Sequence, residues 1–255
     1  MKNSSTKLIL SEKLPLPRGE IALKEFGKLP RLMNVCSMQY KAVIFDMDGL
    51  LIDSEPLWRE AGRETIQQFG KDLTEEQYHS STGLRTEEWI EHWFHHFNID
   101  MDLAPTAIDI IIRKAIEKIE RHGKAFPGID TVFQFLKQRD FKLGLATSSP
   151  LSLVEVVIKK LKLENSFDTI ASAGELPYGK PHPQVYIDCA IQLNCTPLQC
   201  IAVEDSFNGM IAAKAARMKC VVVPATAEYE HPKWNAADLK LKNLADFTEE
   251  KLKMI

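Results

Sequence analysis

Short apolar runs alternate with amphipathic stretches through most of this chain, and most of the runs end in polar groups. Tyr40-Lys41-Ala42-Val43-Ile44-Phe45 opens into Asp46-Met47-Asp48-Gly49. The run at 141–146 opens into Thr147-Ser148-Ser149-Pro150. A shorter one near 169–171 precedes a loop that carries Lys180, and Cys200-Ile201-Ala202-Val203 opens into Glu204-Asp205. A fifth run occupies 220–223. Helical patterns at 129–139, 151–162, 183–193 and 207–217 separate them. Strands alternating with helices predict βαβ units, a parallel sheet and right-handed crossovers. Ligands of such sheets bind beyond the carboxyl ends of the strands. The polar groups named above fall at that edge.

One block breaks the alternation. Between about 55 and 122 no strand pattern occurs. Leu57, Trp58, Ala61, Thr65, Ile66 and Phe69 recur at near-helical spacing, and further helical stretches follow at 75–79, 86–97 and 104–121. This predicts a small helical cap domain at 55–122, inserted after the first strand, with residues 38–54 and 123–255 forming the core domain. Residues 1–37 carry three prolines and no secretory pattern, and are expected to be a poorly ordered extension.

Composition removes several function classes. The 255 residues are 45% hydrophobic and 26% charged, with a formal net charge of -3. This is an ordinary globular balance without the basic footprint of a nucleic-acid binder. No apolar run approaches the roughly 18 residues of a membrane span. The five cysteines are widely spaced and odd in number, which argues against a disulfide framework and for a reducing cytoplasm.

Two carboxylates at a strand end, two residues apart, project to the same side. One can attack while the other moves protons. A calcium loop uses similar spacing, but here an apolar strand precedes the motif and Leu50, Leu51 and Ile52 stand where ligands would be. The hydroxyls of Thr147, Ser148 and Ser149 precede a helix start. They suit a phosphate, although capping by Ser149 is the simpler reading of that segment alone. Lys180, stiffened by Pro181 and Pro183, offers an ammonium for a phosphate. Glu204 and Asp205 directly follow a buried strand and call for a cation or donors; a hard ion such as Mg²⁺ fits.

The order of these four pieces is more specific than any one of them. It resembles the haloacid dehalogenase (HAD) superfamily over about residues 40–225. The string Asp46-Met47-Asp48-Gly49-Leu50-Leu51-Ile52-Asp53-Ser54-Glu55-Pro56 is similar to the β-phosphoglucomutase-like subgroup, and within it to bacterial hexitol and 2-deoxyglucose-6-phosphate phosphatases. The resemblance implies a Rossmann-like α/β core with a helical cap. It also implies a Mg²⁺-dependent phosphatase of sugar or hexitol phosphates. Asp46 would be the nucleophile that forms an aspartyl-phosphate, and Asp48 the general acid/base. Thr147 and Lys180, with Ser148 and Asn208, would bind the phosphate. Asp46, the backbone carbonyl of Asp48, and Asp205 would hold the metal, with Glu204 as ligand or support. Arg85, in the presumed specificity loop, would contact substrate or remain a solvated residue at a helix start. Trp58 could line the same cavity or serve as a core aromatic. The partner would be a small phosphorylated metabolite, and the chain could act as a monomer.

Rival readings are distinguishable. A phosphomutase of this subgroup carries a histidine on the first cap helix, where this chain has Trp58. No histidine lies between Asp46 and His79. A dehalogenase lacks the second aspartate. A non-catalytic sugar-phosphate-binding regulator would be expected to lose a motif residue, and none is lost. His92, His95 and His96 fall at helical spacing, but no further ligand is apparent, so an amphipathic helix is the expected reading.

Overall fold

The computed structural model describes residues 40–81 and 84–255; the extension expected at 1–37 lies outside them. Six strands form one fully parallel sheet, in the order β3-β2-β1-β4-β5-β6. They are β1 (Ala42–Phe45), β2 (Lys142–Thr147), β3 (Thr169–Ser172), β4 (Cys200–Glu204), β5 (Lys219–Val222) and β6 (Leu239–Lys240). Strand β1 lies at the centre because every one of its residues is fully buried. The side chains of Val43, Ile44 and Phe45 each contribute roughly 1.5–3 kcal/mol when removed from water, part of which an edge position would forfeit. Phe45 pairs in register with Leu145 on one side and Val203 on the other. The chain leaves β1 on one side, builds β2 and β3, and crosses back to β4. Asp46 therefore sits at the topological switch point, and its N–H extends the ladder by donating to the Val203 carbonyl at 3.0 Å.

Alternation along the strands divides the core into two faces. Val43, Phe45, Leu143, Leu145, Ile201 and Val203 face α5 (Ile129–Lys137) and α6 (Leu151–Leu161). Ala42, Ile44, Ala146 and Ala202 face α7 (Gln184–Gln192) and α8 (Phe207–Ala215). A last short helix, α9 (Glu249–Leu252), ends the chain. Strand β6 was not anticipated: two residues are too short to show a period.

The block expected to be helical holds α1 (Glu55–Gln68), α2 (Glu75–Ser80), α3 (Thr86–Phe97) and α4 (Ala104–His122). Helix α4 buries Ala107, Ile111, Ala115 and Ile119 at helical spacing and packs on α1, α3 and α6. Gly62 lets α1 approach α3, since a Cβ there would stand 2.9 Å from the Trp89 ring. The apolar core of these helices runs on into the first face of the sheet. The two chain crossings between block and sheet lie side by side. Asp53 N–H donates to the Lys124 carbonyl at 2.8 Å, and Phe126 N–H donates to that of Leu51 at 3.0 Å.

Gly128 precedes α5 with φ at 94°, and a Cβ there would lie 2.5 Å from the Ala245 nitrogen. Gly128→Ala combines backbone strain with a collision against main chain. It is expected to cost about 1–3 kcal/mol, read as a lower urea midpoint. A midpoint equal to wild type would refute this account.

Candidate active site

The carboxyl ends of β1, β2 and β4 meet around one ammonium group. Lys180 Nζ donates to Asp46 Oδ1 at 2.6 Å, to Glu204 Oε1 at 2.7 Å and to the Ala146 carbonyl at 3.0 Å. Its three hydrogens are thus shared out within the protein. Lys180 thereby holds the Asp46 carboxylate and supplies positive charge beside it. The lysine is 3% exposed, and the Tyr186 ring lies 5.0 Å from its nitrogen.

Glu204 is the anchor of this group. Oε1 accepts from Lys180 and from the Tyr186 hydroxyl at 2.7 Å. Oε2 accepts from the N–H groups of Asp205 and Ser206 and from the Ser206 hydroxyl. Five donors use both oxygens, which favours the supporting role over ligation. Gly209 makes room for it, since a Cβ at that position would fall 1.8 Å from Oε1.

Asp205 behaves differently. Its Oδ1 is buried without a hydrogen-bond partner among the described residues, while Gly49, at φ 77°, leaves space for Oδ2. Asp46, Glu204 and Asp205 each bring a carboxylate oxygen within 4.8 Å of the others. One ammonium does not neutralise three buried carboxylates. Burial pushes Asp46 up to about 8 against the pull of Lys180, with Glu204 and Asp48 adding to the rise. Burial, then Asp46 and Glu204, push Asp205 well above the carboxylate range. An orphaned acceptor within an excess of negative charge fits a hard divalent cation.

Asp48 is held by donors from two parts of the chain. Oδ1 accepts from the Ser54 hydroxyl at 2.7 Å and from the Trp58 indole N–H at 3.1 Å, and Oδ2 accepts from the Ser149 hydroxyl at 2.7 Å. Trp58 is therefore a site residue, and Ser149 touches the acid/base candidate where capping had been the simpler reading. Thr147 is buried, and its Oγ1 accepts from Ser149 N–H. The Ser148 hydroxyl is buried without a partner among the described residues. Both line the cavity over Asp46, together with Asp48, Lys180 and Asp205. The outer wall comes from the helical block: Glu55, Trp58, Tyr78, Leu84, Trp89 and Ile111, with Ser81 and Thr86.

Two expected substrate contacts are not among the residues that line this cavity. Asn208, in the first turn of α8, does not line the cavity. Arg85 precedes α3, and its guanidinium donates to the carbonyl of Leu176 and, at 3.4 Å, to that of Pro177. Glu88 accepts from Gly179 N–H at 2.9 Å. This pair ties α3 to the loop that delivers Lys180. The Arg85 side chain is mostly buried, and it also lies beside Glu87 and Glu88. The histidine group makes ring contacts with Trp93 and Phe97, as an amphipathic helix would. Sequence reasoning missed Tyr186, for which a tyrosine on a buried helical face gave no signal. It also missed Ser54 and Glu55, whose place in the string after Asp48 was the available hint.

Residues 43–223 match the family described as haloacid dehalogenase-like hydrolase. The chain is 42% identical over 215 residues to hexitol phosphatase B of Escherichia coli (strain K12), covering 84% of this chain and 97% of that protein. It is 32% identical over 181 residues to a phosphorylated carbohydrates phosphatase of Thermotoga maritima, covering 69% and 81%. In fold it is similar to β-phosphoglucomutase of Clostridium difficile, with a TM-score of 0.75 at 24% identity, covering 84% of this chain and 96% of that one.

The excess of buried acid has a measurable sign. Folded Asp46 holds its proton to about 8, whereas the ordinary carboxyl releases it near 3.8. Between those values the folded form binds more protons, so the Asp46 contribution to stability falls as pH rises. Without metal, Tm should decline from pH 5 to pH 8. Magnesium should raise Tm more at pH 8 than at pH 6, because fewer protons compete for the same oxygens. Equal magnesium effects at both pH values would sink the assignment.

Proposed function

The chain belongs to the haloacid dehalogenase-like hydrolases, and from that premise we propose that it is a magnesium-dependent phosphatase of small phosphate monoesters, hexitol phosphates foremost. The observation that carries this reading is the setting of Asp48. Two hydroxyls and an indole N–H orient its carboxylate beside Asp46, as an acid/base next to a nucleophile requires. The name of the 42%-identical relative supports the substrate class.

In the proposed reaction an Asp46 carboxylate oxygen attacks phosphorus. The bond to the leaving oxygen breaks, and Asp48 gives that oxygen a proton. Asp48 then takes a proton from water as it attacks the aspartyl-phosphate, releasing inorganic phosphate and the Asp46 carboxylate. Lys180 fixes Asp46 Oδ1 throughout and adds positive charge below the phosphoryl group. Thr147 and Ser148 line the cavity where that group must sit. Magnesium held by Asp46, Asp205 and the backbone carbonyl of Asp48 would offset negative charge on the transferring group.

The mutase alternative asks for a proton-moving group on α1. Trp58 occupies the hydrogen-bonding position on Asp48 instead, and an indole only donates. This favours hydrolysis. Among the described residues no helix is long and apolar enough to cross a membrane. The four described cysteines are free thiols, which supports a cytoplasmic setting.

Asp46→Asn should lower p-nitrophenyl phosphate hydrolysis by about a thousandfold or more while the folded circular dichroism spectrum persists. Chelation of magnesium should abolish wild-type turnover. Near-normal rates in either case would refute the mechanism. Across hexitol, hexose, pentose and glycerol phosphates, hexitol phosphates should show the highest kcat/KM.

A further inference from the structure

The start of α3 serves two surfaces. Thr86 and Trp89, with Leu84 just before them, line the outer wall of the cavity. Arg85 and Glu88 reach instead to the segment between β3 and α7, which carries Lys180. Residues 174–180 of that segment belong to no strand or helix, so the path of their main chain depends on what grips it.

The grip falls directly before Lys180. The Arg85 guanidinium donates to the carbonyls of Leu176 and Pro177, and lies 3.5 Å from that of Ala173. A planar fork can span successive carbonyls in this way, where an ammonium is a single point. Glu88 Oε1 accepts from Gly179 N–H at 2.9 Å, while Oε2 accepts from Arg85 N–H at 3.4 Å. One carboxylate therefore caps α3 and holds the residue that precedes Lys180. The two side chains also approach each other to 3.7 Å. Arg85 is 13% exposed in its side chain and Gly179 is buried, and a main-chain group withdrawn from water loses most when its partner is taken away. With the chain held at 176, 177 and 179, little freedom remains in where the next side chain starts its descent to Asp46 and Glu204.

We propose that Arg85 and Glu88 are positioning residues for the reaction: they fix the main chain at 176–179 and thereby the placement of Lys180 against Asp46. The inference rests on the phosphatase reading and deepens it. It puts a determinant of turnover outside the cavity, on the helix whose other side forms the cavity wall. Arg85 then acts through Lys180 and not on the substrate, and the two roles have different kinetic signatures. A lost substrate contact raises KM, whereas a displaced Lys180 lowers kcat.

The test uses p-nitrophenyl phosphate with saturating magnesium. Arg85→Lys keeps the charge and gives up the fork. It should lower kcat by about tenfold or more, as small misplacements in a reacting centre do, with KM within about twofold of wild type. Glu88→Ala should show the same split, and hydrogen exchange of a peptide spanning 174–180 should be faster in it than in wild type. Glu88→Gln keeps an oxygen for Gly179 N–H and should recover most of the lost kcat. Gly179→Ala is a second route to the same displacement, since its Cβ would collide with Arg85; it should lower kcat with KM kept, and it decides the matter if the other variants fail to fold. A raised KM with wild-type kcat in Arg85→Lys would overturn the proposal in favour of a substrate contact. Wild-type kcat in folded Glu88→Ala or Gly179→Ala would overturn it outright, and so would Glu88→Gln as slow as Glu88→Ala. Absence of p-nitrophenyl phosphate hydrolysis by wild type would instead overturn the phosphatase reading, and this inference with it.

Discussion

Everything in the site depends on the buried ammonium of Lys180. Removing one partner from a buried ion pair typically costs about 3–5 kcal/mol, because it leaves the other charge uncompensated. Here one nitrogen serves two carboxylates and a main-chain carbonyl at once. It ties the end of β1 to the end of β4 across the switch point, and the β2 end enters through Ala146. Glu204 can stand fully buried only because Lys180, Tyr186, Ser206 and two backbone N–H groups satisfy it. Lys180 therefore acts first on geometry, and its charge acts on chemistry through Asp46.

Lys180 arrives on a loop, and loops need fixing from outside. Arg85 and Glu88 supply that hold, gripping the carbonyls of Leu176 and Pro177 and the N–H of Gly179. Gly179 permits the close approach, since a Cβ there would stand 2.9 Å from the Arg85 Cβ and 3.0 Å from Glu88 Oε2. The helical block thus reaches the reacting centre by two routes. Trp58 touches Asp48 directly, and Arg85 holds the segment that presents Lys180. A displacement of α3 would disturb the floor of the cavity as well as its wall.

The sheet was legible because burial on both faces leaves a mark in sequence. Runs such as Ala42-Val43-Ile44-Phe45 have few other uses, and each stops where a polar group begins. Asp46, Asp48, Lys180 and Asp205 could be gathered from that rule together with the family resemblance. What escaped depends on side-chain direction. Arg85 looks the same in sequence whether it reaches a ligand or a neighbouring carbonyl. Ser149 looks like a helix start whether or not its hydroxyl continues to Asp48. Tyr186 is an aromatic on an apolar face until Glu204 comes within 2.7 Å. Strand β6, with two residues, has no period to read.

The charge count sets the floor of the cavity apart from its outer wall. Asp46, Glu204 and Asp205 exceed the single positive charge of Lys180, and Gly49 and Gly209 let two of these carboxylates crowd where any other residue would collide. That excess makes a divalent cation favourable at the unpartnered Asp205 oxygen. A cation there and Lys180 together can accept one phosphoryl group, and they lie at the floor. The opposite wall has no positive charge among its described residues and one carboxylate, Glu55. The asymmetry follows from where the chain places its acids: on the strand ends, where a cation and Lys180 can answer them, and at the start of α1, where neither does.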